Sequence, residues 1–289
     1  MTYSLDEYIR DPAPAPSLSA SIAHILLTRS PQHAWYAHPR LNPQWRPETF
    51  EAAEIGTIAH ALLLEADQSR VVAVHADDWR TKAAKEQREA IRAAGRLPVL
   101  AHKLDAIHAM VAVTRERIDA SEVHEMLSSD GGTPEQTFLW QDDGVWCRTR
   151  PDWVSTDHRL LVDYKTTAAS AEPTSWARGQ LLSMGYDLQA ALGIRAMLAL
   201  SEPPRDVSFV FLVQETEHPY AVSLVGLSPT WQAFAEQRLA SARRIWRTCL
   251  TTNDWPSYPG RIAWSDPPEY ALYQWGERAV NQPASIEEL

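Results

Sequence analysis

The segment Arg150 to Thr167, RPDWVSTDHRLLVDYKTT, constrains the fold of this chain more than any other. Two short runs of β-branched, apolar and aromatic residues flank Asp157 and His158, the pattern of two antiparallel strands joined by a tight turn. With a two-residue turn centred on Asp157 and His158, residues whose numbers sum to 315 face each other, and Asp152 lies opposite Asp163. Opposed side chains of this kind have Cβ atoms about 4.5 to 5.5 Å apart, where two carboxylates repel unless something cationic sits between them. Lys165, two residues beyond Asp163, projects from the same face of a strand of period two.

Carboxylates and a lysine on one face suit hydrolysis of a phosphodiester. Oxygen ligands hold Mg²⁺, the metal polarises the phosphate and acidifies its water, and the lysine steadies the charge that builds on phosphorus oxygens. Glu135, on the strand before, is a further carboxylate for such a site. Charges alternating with apolar residues also describe a half-buried strand with one face in water, so the hairpin alone leaves a solvated sheet face as the other account.

The rest of the chain reads as helices around this hairpin. Ser17-Leu18-Ser19 can cap a helix to about Thr28, Glu51 to Leu64 has helical apolar spacing and carries His60, and Trp79 to Arg96 is helix-prone and basic. Pro98 is expected to open a long helix to about Leu127. Strands are expected at 133–140, 145–155 and 159–166, a long helix at 175–200, strands at 207–214 and 220–225, and a helix at 229–250. Helices, three strands, a helix, two strands and a helix predict an α/β fold with a mixed sheet flanked by helices. A single domain over 1–289 is expected, its core at about 17–250, with an irregular Trp- and Pro-rich segment at 251–289.

Composition narrows the function classes. With 45% hydrophobic and 22% charged residues the 289-residue chain is that of an ordinary folded protein. Cys147 and Cys249 are the two cysteines, too few for a disulfide framework or a four-cysteine metal site, and fit a reducing compartment; the cytoplasm is the expected location. Neither an export signal nor a membrane anchor is expected, since no apolar stretch approaches about 20 residues. The formal charge of −10 argues against a protein that coats polyanions in general, although a local groove with bound metal ions remains compatible with nucleic acid. A Gly-rich phosphate loop, HExxH, paired CxxC and a GxSxG elbow are all absent.

Pro151-Asp152, ten intervening residues and Asp163-Tyr164-Lys165 form a PD-(D/E)XK signature. In its surroundings the chain resembles the RecE-type (exonuclease VIII-like) branch of that nuclease superfamily, through SLSASIAHILLTRSPQHAWYA, GTIAHALLLE around His60, RTKAAKEQREAIRAAG and GYDLQAALG, over roughly residues 17 to 200. The resemblance implies a restriction-endonuclease-like core, digestion of linear double-stranded DNA from its ends in the 5′ to 3′ direction, Mg²⁺ with Mn²⁺ as a substitute, and a single-strand annealing protein as partner. A homo-oligomeric ring around DNA would suit processive digestion.

Carried over by position, Asp152 and Asp163 bind the metal, the Tyr164 carbonyl adds a ligand, and Lys165 acts on the phosphate and its attacking water. His60 matches the family's histidine, a metal ligand on the preceding helix, with Gly56 one turn before it on the same face. Gln189 orients a phosphate or the nucleophilic water beside Tyr186. Core packing is the competing account for His60, Tyr186 and Gln189, and strand-surface charge for Glu135. Lys82, Lys85 and Arg88 are candidates for holding the DNA backbone, against a solvated helix with internal ion pairs. A catalytically silent DNA-end or protein-binding module, and an endonuclease of the same superfamily, are the alternative functions.

Overall fold

The expected hairpin forms, and it forms at the centre of a larger sheet. The computed structural model describes residues 3–47, 54–64, 68–128, 130–200 and 206–281, and the chain divides into two units, Met1–Pro256 and Ser257–Leu289.

In the first unit α1 (Leu5–Ile9), α2 (Ala20–Thr28), α3 (Pro31–Ala37) and α4 (Glu54–Leu64) precede β1 (Val71–Val74). Then come α5 (Lys82–Ala93), β2 (Leu97–Leu100), α6 (Ala101–Asp119), β3 (Gly132–Pro134), β4 (Phe138–Asp142), β5 (Val145–Thr149), β6 (Trp153–Ser155) and β7 (Leu160–Thr167). The unit closes with α7 (Pro173–Gln180), α8 (Tyr186–Leu200), β8 (Ser208–Glu215), β9 (Val222–Gly226) and α9 (Pro229–Thr252). Ser4, Ser19, Ser30, Thr81 and Ser228 cap their helices by accepting a backbone N–H two or three residues into the first turn.

The main sheet runs β3-β6-β7-β8-β9, antiparallel except for β7 and β8, which are parallel and joined by the crossover through α7 and α8. The fold is therefore α/β with a mixed sheet flanked by helices. Alternation along the strands feeds two apolar layers. Leu161, Phe209, Phe211, Val213 and Val225 pack with α2, α8 and α9, whereas Val162, Tyr164, Leu212 and Trp153 pack with α4 and α6.

Several expected boundaries move, each for a physical reason. Trp153 pairs with Val162 and Val154 with Leu161, so the sum-to-315 register holds. The connection is longer than two residues, because Ser155 Oγ and Asp157 Oδ1 accept the N–H groups of Leu160 and Arg159 and build a wider loop. The strand expected at 133–140 splits into β3 and β4 at Glu135, whose φ is +54°, and that expected at 145–155 splits into β5 and β6 around Pro151. Pro98 does not open the long helix. It lies in β2, paired with Val72 in a two-stranded sheet whose free edge tolerates a missing N–H. The helix expected at 175–200 breaks before Tyr186 at Gly185, whose φ of +71° suits glycine. Residues 51–53 of the expected His60 helix lie outside the described residues.

The second unit contains α10 (Glu269–Asn281), so the tail expected to be irregular is helical in part. The Pro268 carbonyl accepts the N–H groups of Ala271 and Leu272 and starts that helix. Among the described residues no helix is long and apolar enough to cross a membrane.

Candidate active site

A cleft of about 800 Å³ opens where β6 and β7 meet α4, lined among others by Gly56, His60, Arg70, Glu135, Arg150, Asp152, Lys165 and Tyr186. Its floor follows from how β6 begins. Asp152 stands one residue before the strand, and its Oδ2 accepts the Tyr164 N–H at 2.8 Å. Its backbone carbonyl accepts the Glu135 N–H at 3.0 Å, which sets Glu135 beside it. The left-handed φ at Glu135 turns the chain there from β3 towards β4.

The second oxygen of each acid points to one place. Glu135 Oε1 and Asp152 Oδ1 each lie 3.3 Å from His60 Nε2, supplied by α4. One potential ligand atom from each of the three residues lies within 4.8 Å of the other two, and among the described residues this is the one such group of three. The remaining oxygen of each acid is anchored. Arg150 donates to Glu135 Oε2, and also to the Tyr3 carbonyl at 2.8 Å and Thr137 Oγ1 at 2.7 Å. An imidazole and two anchored carboxylates drawn from three elements suit a divalent cation, with ligands oriented by their outer neighbours.

Lys165 forms the other half of the site. Its Nζ pairs with Asp163 Oδ1 and sits 4.7 Å from the centre of the Tyr186 ring. Gln189 Nε2 donates to Asp163 Oδ2, so α8 and β7 together hold the acid that holds the lysine. Asp163 is 1% exposed.

Charge is unevenly shared. Burial pushes the Asp163 carboxyl up to about 7, helped by the nearby Asp152. Burial also tends to raise Asp152, but the His60 hydrogen bond and the charges of His60 and Lys165 outweigh it, and its net shift is downward. Glu135 is raised by burial, His60 opposing and Asp152 reinforcing. On Lys165 burial is overcome by Asp163 and Asp152, which hold the ammonium protonated.

His60, Asp152, Glu135, Asp163, Lys165, Tyr186 and Gln189 therefore come together. Asp163 stands outside the His60 group, with both oxygens turned to Lys165 and Gln189. The Tyr164 backbone is at the cleft, while its hydroxyl donates to Gln214, which in turn donates to the Met110 carbonyl of α6. The basic helix α5 does not line the cleft. Arg88 is buried with its guanidinium 5.0 Å from the Trp79 ring centre, since the helix turns Ala84 and Arg88 inward, and so does not present itself to a DNA backbone. Lys82 and Lys85 are exposed, Lys82 paired with Glu86 at 3.8 Å. Arg150 was not among the expected site residues, although it directly precedes Pro151-Asp152; Arg70 carries no sequence signal.

The family profile described as "PDDEXK-like domain of unknown function (DUF3799)" matches residues 26–267. The chain belongs to the DUF3799 family. This DUF3799 chain is also similar in fold to a provisionally described exonuclease from Eubacterium rectale, at 13% identity, TM-score 0.60, with 94% of this chain and 98% of that one covered. A crystal structure of SSO0001 aligns over 73% of this chain and 97% of its own at 9% identity, but its TM-score of 0.27 carries nothing further. A search of curated proteins gave no match. The DUF3799 match and the shared fold place the chain in the PD-(D/E)XK superfamily.

Proposed function

We propose that this chain is a metal-dependent exodeoxyribonuclease that digests linear double-stranded DNA from its ends, 5′ to 3′, in recombination or DNA processing in the cytoplasm. The observation that carries this reading is the convergence of the free oxygens of Glu135 and Asp152 on His60, beside a lysine held by a third acid. The E. rectale protein of the same fold, provisionally described as an exonuclease, agrees with it.

His60, Glu135 and Asp152 would hold the divalent ion, Mg²⁺ with Mn²⁺ as a substitute, which when bound supplies Lewis acidity toward the phosphate and a more acidic water. Lys165 donates from its protonated Nζ to a phosphate oxygen where charge accumulates. Asp163 and Gln189 fix where that ammonium stands, and the Tyr186 ring limits its swing on the open side. Asp152 keeps its orientation through the Tyr164 N–H, and Glu135 through Arg150. A single-strand annealing partner and a ring of copies around DNA complete the proposal.

Linear and covalently closed circular duplexes are incubated with the pure protein, each with Mg²⁺ or a chelator. Progressive loss of linear DNA in Mg²⁺ with survival of a single strand and of the circles is expected. Ca²⁺ should permit binding with little cleavage, being larger and loosely coordinated. Circles nicked as fast as linear DNA shortens would make the chain an endonuclease; no change with any divalent ion would make it a silent binding module.

A further inference from the structure

A second concavity, of about 1160 Å³, lies against α2 and α3, with Arg29, Trp35, Tyr36, Trp45 and Arg46 on its walls. It exceeds the roughly 300–1,000 Å³ usual for one small molecule. Its chemistry is unlike the rest of this acidic chain. Among the described residues no Asp or Glu lines it. Among the described residues Arg29 makes no ion pair and Arg46 donates to the Trp45 carbonyl at 2.7 Å without meeting a carboxylate, whereas Arg195, Arg238, Arg243 and Arg247 are each matched to carboxylates. Tyr36 is 64% exposed, a large ring left in water on a short, well-capped helix.

Flat aromatic faces interleaved with unmatched guanidinium groups are the means by which a protein holds unpaired nucleotides: bases stack on the rings and the phosphates meet the cations. A duplex hides its base faces, so the rings would gain nothing from it. The groove also adjoins the catalytic cleft. Ser4 and Leu5 of the α1 segment line the cleft, and Ile9 at its other end lines the groove. At 1.5 Å per helical residue the two are separated along α1 by about 7 Å.

We infer that this groove binds single-stranded nucleic acid and takes up an unpaired strand next to the cleft. The identity of the ligand rests on the nuclease reading of that cleft; the groove's affinity does not depend on cleavage.

The test is fluorescence anisotropy of a labelled oligothymidylate of about a dozen nucleotides, in chelator so that no DNA is cut. Wild-type protein should bind it. Tyr36→Ala should weaken binding on the order of tenfold, the worth of one stacked base. Arg29→Ala and Arg46→Ala should each lower the slope of log affinity against log salt by about 0.7. Lys103→Ala, at an exposed position of α6, serves as the control and should change nothing. Circular dichroism checks that each variant is folded, which the exposure of Tyr36, Arg29 and Arg46 favours. Failure of wild-type protein to bind the oligonucleotide, equal affinity of wild type and all three groove variants, or the same loss for duplex as for single strand would each overturn the inference. A chain that binds through the groove yet cuts no DNA would refute the nuclease reading and leave this one standing.

Discussion

Gly56 and Thr166 are so close that a Cβ built on the glycine would stand 2.7 Å from the threonine Oγ1. The missing side chain lets α4 lie against the end of β7, and His60 is one turn further along the same helix face. Gly56→Ala should therefore push the helix outward, costing about 1 to 3 kcal/mol of stability and weakening Mn²⁺ binding. Thr166→Ala in the same chain should recover both, since the next nearest atoms are at 3.8 Å. Urea unfolding and calorimetric Mn²⁺ titration of the four members of this cycle check it; a neutral Gly56→Ala would separate the close approach from the placing of His60.

Lys165→Ala should lower cleavage of linear duplex by on the order of a hundredfold to a thousandfold while leaving fold and most metal affinity intact, because the ammonium supplies no lone pair to a metal. Single-turnover rates in Mg²⁺ measure this. Turnover at the wild-type rate would remove the lysine from the chemistry.

Arg150→Ala frees Glu135 Oε2 and removes the guanidinium that also donates to Thr137 Oγ1 and the Tyr3 carbonyl. Metal affinity should fall by about tenfold to a hundredfold, the usual cost of losing an outer partner of a ligand. The same titration with Mn²⁺ tests this, and unchanged affinity would place Glu135 outside the ion's coordination.

Asp11 gives a stability prediction away from the cleft. Its side chain is fully buried, accepts from Ser17 N and Oγ at 2.8 and 2.6 Å, and meets His38 and Arg148. Burial raises its pKa, but His38, Arg148 and Ser17 together bring it down to about 2. A carboxyl whose folded value lies below its unfolded value of about 3.9 stabilises the fold fully above that unfolded value and loses the contribution as pH falls toward about 2. Asp11→Asn should be less stable by about 2 kcal/mol at neutral pH, and the gap in urea midpoint should shrink between about pH 4 and pH 2. A gap independent of pH would show that the Asp11 charge contributes nothing.

The hairpin register and the shared face of Asp163 and Lys165 were legible because both rest on period-two alternation, a local property of a strand. The ion pair between them was not, since Asp163 was expected on the metal. That helices flank a mixed sheet was legible from the order of the elements. The chain reversals that build the site were not. Glu135 adopts a left-handed φ although it is neither Gly nor Asn, held by its N–H bond to the Asp152 carbonyl and by Arg150 on its side chain, partners that no local pattern around residue 135 announces. Arg88 looked like a phosphate contact because helical spacing alone does not say which face of α5 turns to β1 and β2. Pro98 fits the first turn of a helix and the edge of a strand equally well, and the choice was made by pairing with Val72.

The bond from Tyr164 N to Asp152 Oδ2 gives this protein a built-in reporter. A backbone amide that would otherwise find a neighbouring strand is protected by a side chain whose second oxygen faces His60. Hydrogen exchange at that single amide is thereby tied to the orientation of the acid, while amides elsewhere in β7 report only on the sheet. A spectroscopist following the Tyr164 resonance during a cation titration would read the site from within the main chain, with no substrate and no label.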